Sequence, residues 1–369
     1  MSQSPPDVAI FLRSLFGGGA ERVYLNVAQG LINRGLKVDL LLARAEGLYL
    51  NQIPDGVQLV DLKSPQLFAS VPKVARYLKE VRPKSFLTAL HYPCEISLWA
   101  KRLAGVETPV IVTEHNTLSV EAKQIPQLSV RLSPFAARLF YPWADGIVAV
   151  SQGVANDLAK VAHLPVDRIQ VIYNPVVSDA MFGRAKEPVD HPWFKPGEPP
   201  VILGVGRLYP QKDYPTLIRA VAEVRKQQPC RLVILGDGPE RESLTTLIEE
   251  LNLTEAVDLP GFVANPYAYM ARAGVFVLSS AWEGLGNVLI EALALGTSVV
   301  STDCESGPRE ILADGKYGIL APVGDSNALA AGILTTLKGG NPVTVDSQWL
   351  ERFTLETCVQ KYLRVLGLA

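Results

Sequence analysis

Glu283 and Glu291 stand eight residues apart and enclose the run Gly284-Leu285-Gly286-Asn287-Val288. The stretch before them, Gly274–Ser280 (GVFVLSS), reads as a buried strand, a short apolar run bounded by Gly and Ser. A helix is expected to start at Gly286 or Asn287 and run to Leu295. The spacing then puts Glu283 in a loop past the carboxyl end of a strand and Glu291 two turns down the following helix. In open parallel sheets ligands bind beyond the carboxyl ends of strands. A helix start in that place offers backbone N–H groups and a favourable dipole to an anion, and carboxylates accept hydrogen bonds from hydroxyls. The combination suits a sugar nucleotide, with one carboxylate for the glycose, one for the ribose and amides for the phosphates.

Spacing alone does not carry this reading. Glu242 and Glu250 share the separation, but they lie in the amphipathic run Glu240–Leu251, where Leu244, Leu247, Ile248 and Leu251 form the inward face. What distinguishes Glu283 is its setting, and further segments have the same one. Val201–Val205 ends in Gly206-Arg207-Leu208, and Lys212 follows five residues after Arg207. A planar guanidinium and a compact ammonium suit a diphosphate, although two solvated loop cations would look the same. Gly236-Asp237-Gly238-Pro239 follows another strand and fits either a ligand-facing loop or a plain turn. Near the amino terminus, Gly17-Gly18-Gly19 lies between the first strand and the first helix, where it can cradle an anion or act as a hinge; it matches neither Gly-x-Gly-x-x-Gly nor a P-loop. His115, beside Glu114 and Asn116, and His91 both follow strands, so position does not separate them. Ser306-Gly307-Pro308-Arg309-Glu310 follows a strand and opens a short helix. No Asp-x-Asp occurs, so the carboxylate pair that would hold a divalent metal on a sugar diphosphate is missing, and no metal or other cofactor is expected.

These loops need a scaffold of alternating strands and helices. The apolar runs Val8–Leu12, Val38–Ala43, Phe86–Leu90, Val110–Thr113, Ile147–Val150 and Ile169–Ile172 predict strands in the first half. Val201–Val205, Leu232–Leu235, Val275–Leu278, Val299–Ser301 and Gly318–Ala321 do so in the second. Helical patterns between them predict an α/β protein of two doubly wound, Rossmann-like parallel-sheet domains facing across a cleft. At 369 residues the chain suits two domains. The expected division is 1–182, a Pro-rich linker at 183–200, 201–345, and a C-terminal helix within 346–369 after a Gly-Gly-Asn-Pro break at 339–342.

Residues 1–185 carry 19 Lys and Arg against 15 Asp and Glu, whereas 186–369 carry 16 against 22. The first half leans toward anionic partners, but far too weakly for nucleic-acid binding. Cys94, Cys230, Cys304 and Cys358 lack metal-ligand spacing and fit reduced thiols. The segment Met1–Gly19 has no basic region followed by a long apolar core, and no run of about 18 apolar residues occurs anywhere, so neither a signal peptide nor a spanning helix is expected. A cytoplasmic protein, peripheral to the membrane at most, is the consequence.

Together the motifs GGGAERV, TEHN, AVSQGV, VIYNPV, GRLYPQK, GDGP, EGLGNVLIEALALG and SGPREI resemble the retaining glycosyltransferases of family 4 (glycosyl transferases group 1), which have the GT-B fold. The resemblance runs from Gly17 to Gly318. It implies that Arg207 and Lys212 hold the donor diphosphate, that Glu283 contacts the transferred sugar and that Glu291 contacts the ribose. Gly284, Leu285, Gly286, Asn287 and Val288 would line the phosphates, and Gly18 and Gly19 would border the donor phosphate and the acceptor. His115 matches the family's active-site histidine, and the last helix would return to the N-terminal domain. Such enzymes work without metal and are thought to bring the acceptor to the same face as the leaving phosphate, whose oxygen takes its proton.

The variants SGPREI and GGGAERV resemble members that extend lipid-linked or surface polysaccharides with UDP-sugars, implying a UDP-hexose or UDP-N-acetylhexosamine donor and a glycan or lipid-linked saccharide acceptor. The basic amphipathic segment Val71–Lys84, with Lys73, Arg76, Lys79, Arg82 and Lys84, is a candidate contact with anionic membrane, or an ordinary surface helix. Competing readings are a GT-B-fold UDP-sugar epimerase, a GDP-mannose-dependent transferase and a non-catalytic sugar-nucleotide binder.

Overall fold

The computed structural model describes residues 4–339 and 344–369, so residues 340–342 of the expected break lie outside the described residues. Two compact units are present. One comprises the chain up to Pro175 together with Arg352–Ala369, and the other comprises Val176–Glu351.

The first unit is built on a parallel sheet of β1 (Val8–Leu12), β2 (Val38–Leu42), β3 (Val57–Asp61), β4 (Ser85–Ala89), β5 (Val110–Glu114), β6 (Gly146–Ala149) and β7 (Ile169–Val171). The strands lie in the order β3-β2-β1-β4-β5-β6-β7. β1, β4 and β5 are buried throughout, as strands covered on both faces must be. Residues of β1 and β2 join the helix Gly19–Ile32 and the C-terminal helix Leu355–Val365 in one hydrophobic core. Val359 and Tyr362 are wholly or almost wholly buried there, and the Tyr362 and Tyr24 hydroxyls lie 3.4 Å apart.

The one C-terminal helix expected within 346–369 is two helices, Ser347–Glu351 and Leu355–Val365. Thr354 breaks it: its extended backbone and its side chain, which accepts from the Thr357 amide, make it an N-cap. Phe353, fully buried, anchors the break.

The second unit carries β8 (Val201–Val205), β9 (Arg231–Leu235), β10 (Val257–Gly261), β11 (Val275–Leu278), β12 (Val299–Thr302) and β13 (Ile319–Ala321), in the order β10-β9-β8-β11-β12-β13. In each sheet the order reverses beside the first strand, between β1 and β4 and between β8 and β11. Such switch points open a crevice at the carboxyl edge, where doubly wound sheets bind ligands.

The stretch expected as a linker, 183–200, is instead folded onto the second unit. Asn265 donates to the Arg184 carbonyl and Arg272 to the Ala185 carbonyl, at 2.9 and 3.0 Å. His191 pairs with Asp258 on β10 at 2.9 Å and packs against Trp193, Phe194 and Tyr269. The division between the units therefore falls at Pro175, upstream of the proline-rich stretch.

Candidate active site

In the second unit, the loops that follow β8 and β11 flank the switch point and are knitted together by backbone. The Ala281 amide donates to the Gln211 carbonyl (2.8 Å), the Gln211 side chain to the Trp282 carbonyl (3.1 Å), and Ser279 Oγ to the Lys212 carbonyl (2.7 Å). This fixes the short turn Pro210–Lys212 against the Glu283 loop. Lys212 Nζ lies 2.5 Å from Glu283 Oε1, which also accepts from Ser280 Oγ at 2.7 Å. The side chains are 16% and 8% exposed, so this is a charge pair largely withdrawn from water. Asp213 turns the chain into the helix Tyr214–Arg225 with a left-handed backbone and caps it by accepting from Thr216. The buried Tyr214 hydroxyl has no hydrogen-bond partner among the described residues, and burial, then the Glu283 charge, raise its pKa far out of reach.

Arg207 behaves differently from Lys212. It is exposed, its guanidinium lies 4.8 Å from the centre of the Tyr209 ring, and it carries no salt bridge among the described residues. The two cations thus flank the switch point in different states, one neutralised by Glu283 and one facing solvent. The Gly236–Gly238 turn packs against the Arg207 loop: the Leu208 amide donates to the Asp237 carbonyl at 2.9 Å, and a Cβ on Gly236 would land on the Gly206 carbonyl oxygen.

Gly284, Leu285 and Gly286 are buried, and Gly286, at φ 93°, is the N-cap of the helix Asn287–Ala294. Only glycine takes that left-handed turn without strain, and it has no side chain with which to occupy the helix start. Asn287 and Val288 begin the helix half-buried, and Glu291 lies on it, buried, with the Tyr267 hydroxyl 3.4 Å from its Oε1. The turn, the Lys212–Glu283 pair and Glu291 therefore share one edge of one sheet. Cys304, in the loop after β12, is buried, and burial first and the Glu283 charge second push its thiol up to about 12, so it is inert.

In the first unit, Gly18 is the N-cap of the helix Gly19–Ile32, and the Glu21 carboxylate accepts from the amides of Gly17 and Gly18 at 2.7 and 3.1 Å. The anion these two amides hold is the protein's own side chain, an arrangement of the capping-box kind. His115 follows β5 and is 7% exposed; its ring lies 5.6 Å from that of Tyr24, and its Nε2 has no hydrogen-bond partner among the described residues. Burial drives its pKa down to about 3, so the imidazole is neutral at physiological pH. His91 opens the helix His91–Ala104 with Nε2 3.1 Å from Glu95 Oε1 and Nδ1 3.9 Å from Glu114 Oε2. Burial opposes its protonation, but the adjacent Glu95 and Glu114 outweigh burial and raise its pKa. The structure thus separates two histidines that the sequence left alike. Glu114 braces the His115 loop: its Oε1 accepts from the His115 and Asn116 amides at 3.0 and 3.3 Å, and its Oε2 from the Tyr141 hydroxyl at 2.8 Å.

Sequence reasoning missed Ser280, Gln211 and Tyr267 as supports and Glu114 as a brace. The Ser280–Glu283 spacing of three and the Gly18–Glu21 spacing of three were visible signals; contacts across 71 residues, such as Lys212 to Glu283, leave none.

Residues 17–179 match the family described as Glycosyltransferase Family 4, and residues 186–345 match Glycosyl transferases group 1. The chain is 33% identical over 341 residues, 90% of each chain, to the N-acetylgalactosamine-N,N'-diacetylbacillosaminyl-diphospho-undecaprenol 4-alpha-N-acetylgalactosaminyltransferase of Campylobacter jejuni. It is 29% identical to the lipopolysaccharide core biosynthesis glycosyltransferase LpsE of Rhizobium meliloti, across 86% of this chain and 84% of that protein. Among solved structures, Anabaena Alr3699/HepE in complex with UDP-glucose superposes with a TM-score of 0.76 at 21% identity, covering 98% of this chain and 99% of that one. With two Rossmann-like parallel-sheet units and both family segments in order, the chain belongs to the group 1, family 4 glycosyltransferases of the GT-B fold, and it is a glycosyltransferase.

Proposed function

We propose that the protein transfers an N-acetylhexosaminyl or hexosyl group from a UDP-sugar to a lipid-linked saccharide, with retention of anomeric configuration and without a metal ion. The observation that carries this reading is the Lys212–Glu283 pair beside the start of the helix Asn287–Ala294, whose N-cap, Gly286, brings no side chain to the switch point of the sheet. The Campylobacter relative's acceptor is named as a diphospho-undecaprenol saccharide and its product bond as an N-acetylgalactosaminyl linkage, which supports a lipid diphosphate acceptor and an N-acetylhexosamine donor. The UDP-glucose of the Anabaena complex supports uracil as the base.

In this reading Arg207 and Lys212 bind the donor diphosphate and the amides at the start of Asn287–Ala294 face its oxygens. Glu291 accepts from the ribose hydroxyls and Glu283 from hydroxyls of the transferred sugar. As the bond from the anomeric carbon to the diphosphate oxygen breaks, negative charge grows on the leaving group. Fixed cations and amides that meet that charge without rearranging lower the barrier. The acceptor oxygen bonds to the anomeric carbon on the same face, and its proton passes to the departing phosphate oxygen. In the absence of donor, Glu283 holds the charge of Lys212; with donor bound, the ammonium is shared with the diphosphate. His115, buried after β5 of the first unit, acts as a neutral imidazole, a hydrogen-bonding group and not a cation.

The test is a thermal-shift panel of UDP-, GDP- and ADP-sugars, followed by mass spectrometry of products on lipid-diphosphate saccharides. Stabilisation by UDP-N-acetylhexosamine and an acceptor heavier by one such residue are expected. Stabilisation by GDP-mannose alone, or UDP release with no glycosylated product, would overturn the proposal.

A further inference from the structure

The amphipathic helix that the sequence offered to a membrane is already occupied. Val74, Ala75, Tyr77 and Leu78, the apolar face of Val71–Val81, are buried; Tyr77 donates to Asp39 and Lys73 to the Leu62 and Lys63 carbonyls. An apolar stripe without a partner lies elsewhere in the same unit, on the helices Leu128–Arg131 and Ser133–Phe140. Leu132, between them, has helical backbone, so the two run as one helix. Leu128, Leu132, Phe135 and Leu139 are 69, 51, 67 and 50% exposed. At about 100° per residue they fall within roughly 60° of arc, while the buried side of Ser133–Phe140 is Ser133 and Ala137. A helix of a globular unit ordinarily turns its large apolar residues inward; this one turns them out and packs on small residues.

Charge selects what covers the stripe. Between residues 122 and 144 the charged side chains are Lys123, Arg131 and Arg138, all cations and all exposed. A symmetric dimer through this face would set the same cations against each other. An anionic lipid surface instead takes the apolar side chains among its acyl chains and the cations at its headgroups. Trp99, 45% exposed, contacts Phe140 with ring centres 5.4 Å apart and extends the face with an indole, a residue type favoured at lipid–water boundaries.

We propose that this outward stripe and its arginines dock the protein on anionic lipid bilayers. The proposal adds a membrane-binding face to the lipid-linked reading of the acceptor, and its test uses no substrate, so either can fail alone. The full-length protein is co-sedimented with vesicles of phosphatidylcholine, or of equal parts phosphatidylcholine and phosphatidylglycerol. Binding to the mixed vesicles that weakens with added salt is expected. The pairs Leu132→Ser with Phe135→Ser, and Arg131→Glu with Arg138→Glu, are each expected to weaken it at least about tenfold. Circular dichroism of both stripe variants should stay unchanged, whereas Arg76→Glu with Lys79→Glu should bind as the parent does. Absence of vesicle binding, binding unchanged in both stripe variants, loss in the Arg76/Lys79 variant, or a solution dimer that the stripe variants dissociate would each overturn the proposal.

Discussion

Replacing Lys212 by Met and Glu283 by Gln, singly and together, separates what the pair does for the fold from what it does for the reaction. At 2.5 Å the attraction between the two charges is roughly 7 kcal/mol for an effective dielectric of about 20. Desolvation of side chains only 16% and 8% exposed offsets much of it. Removing one partner leaves the other withdrawn from water without its counter-charge, and the loss is expected at about 3 kcal/mol, the lower end for buried pairs, because Lys212 keeps some exposure. The double variant carries neither orphan and should recover part of that loss in urea unfolding. Kinetics should not follow. Each single variant is expected to lower kcat/KM at least about a hundredfold, and the double variant to stay as low, because Lys212→Met removes a cation from the leaving diphosphate and Glu283→Gln removes the carboxylate that accepts from the transferred sugar. Strictly additive stability losses would refute the coupling, and folded single variants with near-parental turnover would refute the site.

His115 gives a pH dependence of known sign. Its folded pKa of about 3 lies below the ordinary 6.5, so the unfolded chain binds the proton more readily. The stability it contributes is whole above pH 6.5 and is lost at about 1.4 kcal/mol per unit as pH falls toward 3. The difference in unfolding free energy between parent and His115→Asn, measured at each pH, should show that slope. Gly286→Ala forces an L side chain to φ 93° and is expected to cost about 1–2 kcal/mol in urea unfolding and to weaken UDP-sugar binding. Glu291→Gln should raise KM for the donor more than it lowers kcat, since the ribose is bound alike in ground and transition states. Excess chelator should leave the transfer rate unchanged; loss restored by added Mg²⁺ or Mn²⁺ would contradict metal-free transfer.

The central strands were legible because parallel strands covered on both faces are short continuous apolar runs, as in Val8–Leu12 and Val275–Leu278. The edge strands β3 and β10 were not. Val57–Asp61 is half exposed, and Val257–Gly261 carries Asp258 and Pro260, so neither shows an uninterrupted run. Arg207, Lys212 and Glu283 could be named because each follows a strand end, and Glu291 by its spacing from Glu283, but the closure of Lys212 onto Glu283 depends on β8 and β11 being neighbours. The Gly17–Gly18 amides read as an anion cradle, and Glu21, three residues beyond Gly18, proved to be the anion. Amphipathicity located the helix Val71–Val81 but could not say that its apolar face was taken, nor that Leu128–Leu139 would turn theirs outward.

The central claim, retaining transfer of a UDP-linked sugar to a lipid diphosphate saccharide, is tested most directly by the anomeric proton of the product. Purified protein is incubated with an α-linked UDP-N-acetylhexosamine and a saccharide-diphosphate lipid, and the new linkage is read by NMR. One added residue with the small coupling of an α-anomer is the expected result. A β-linked product, or hydrolysis of the donor with the acceptor untouched, would contradict the account.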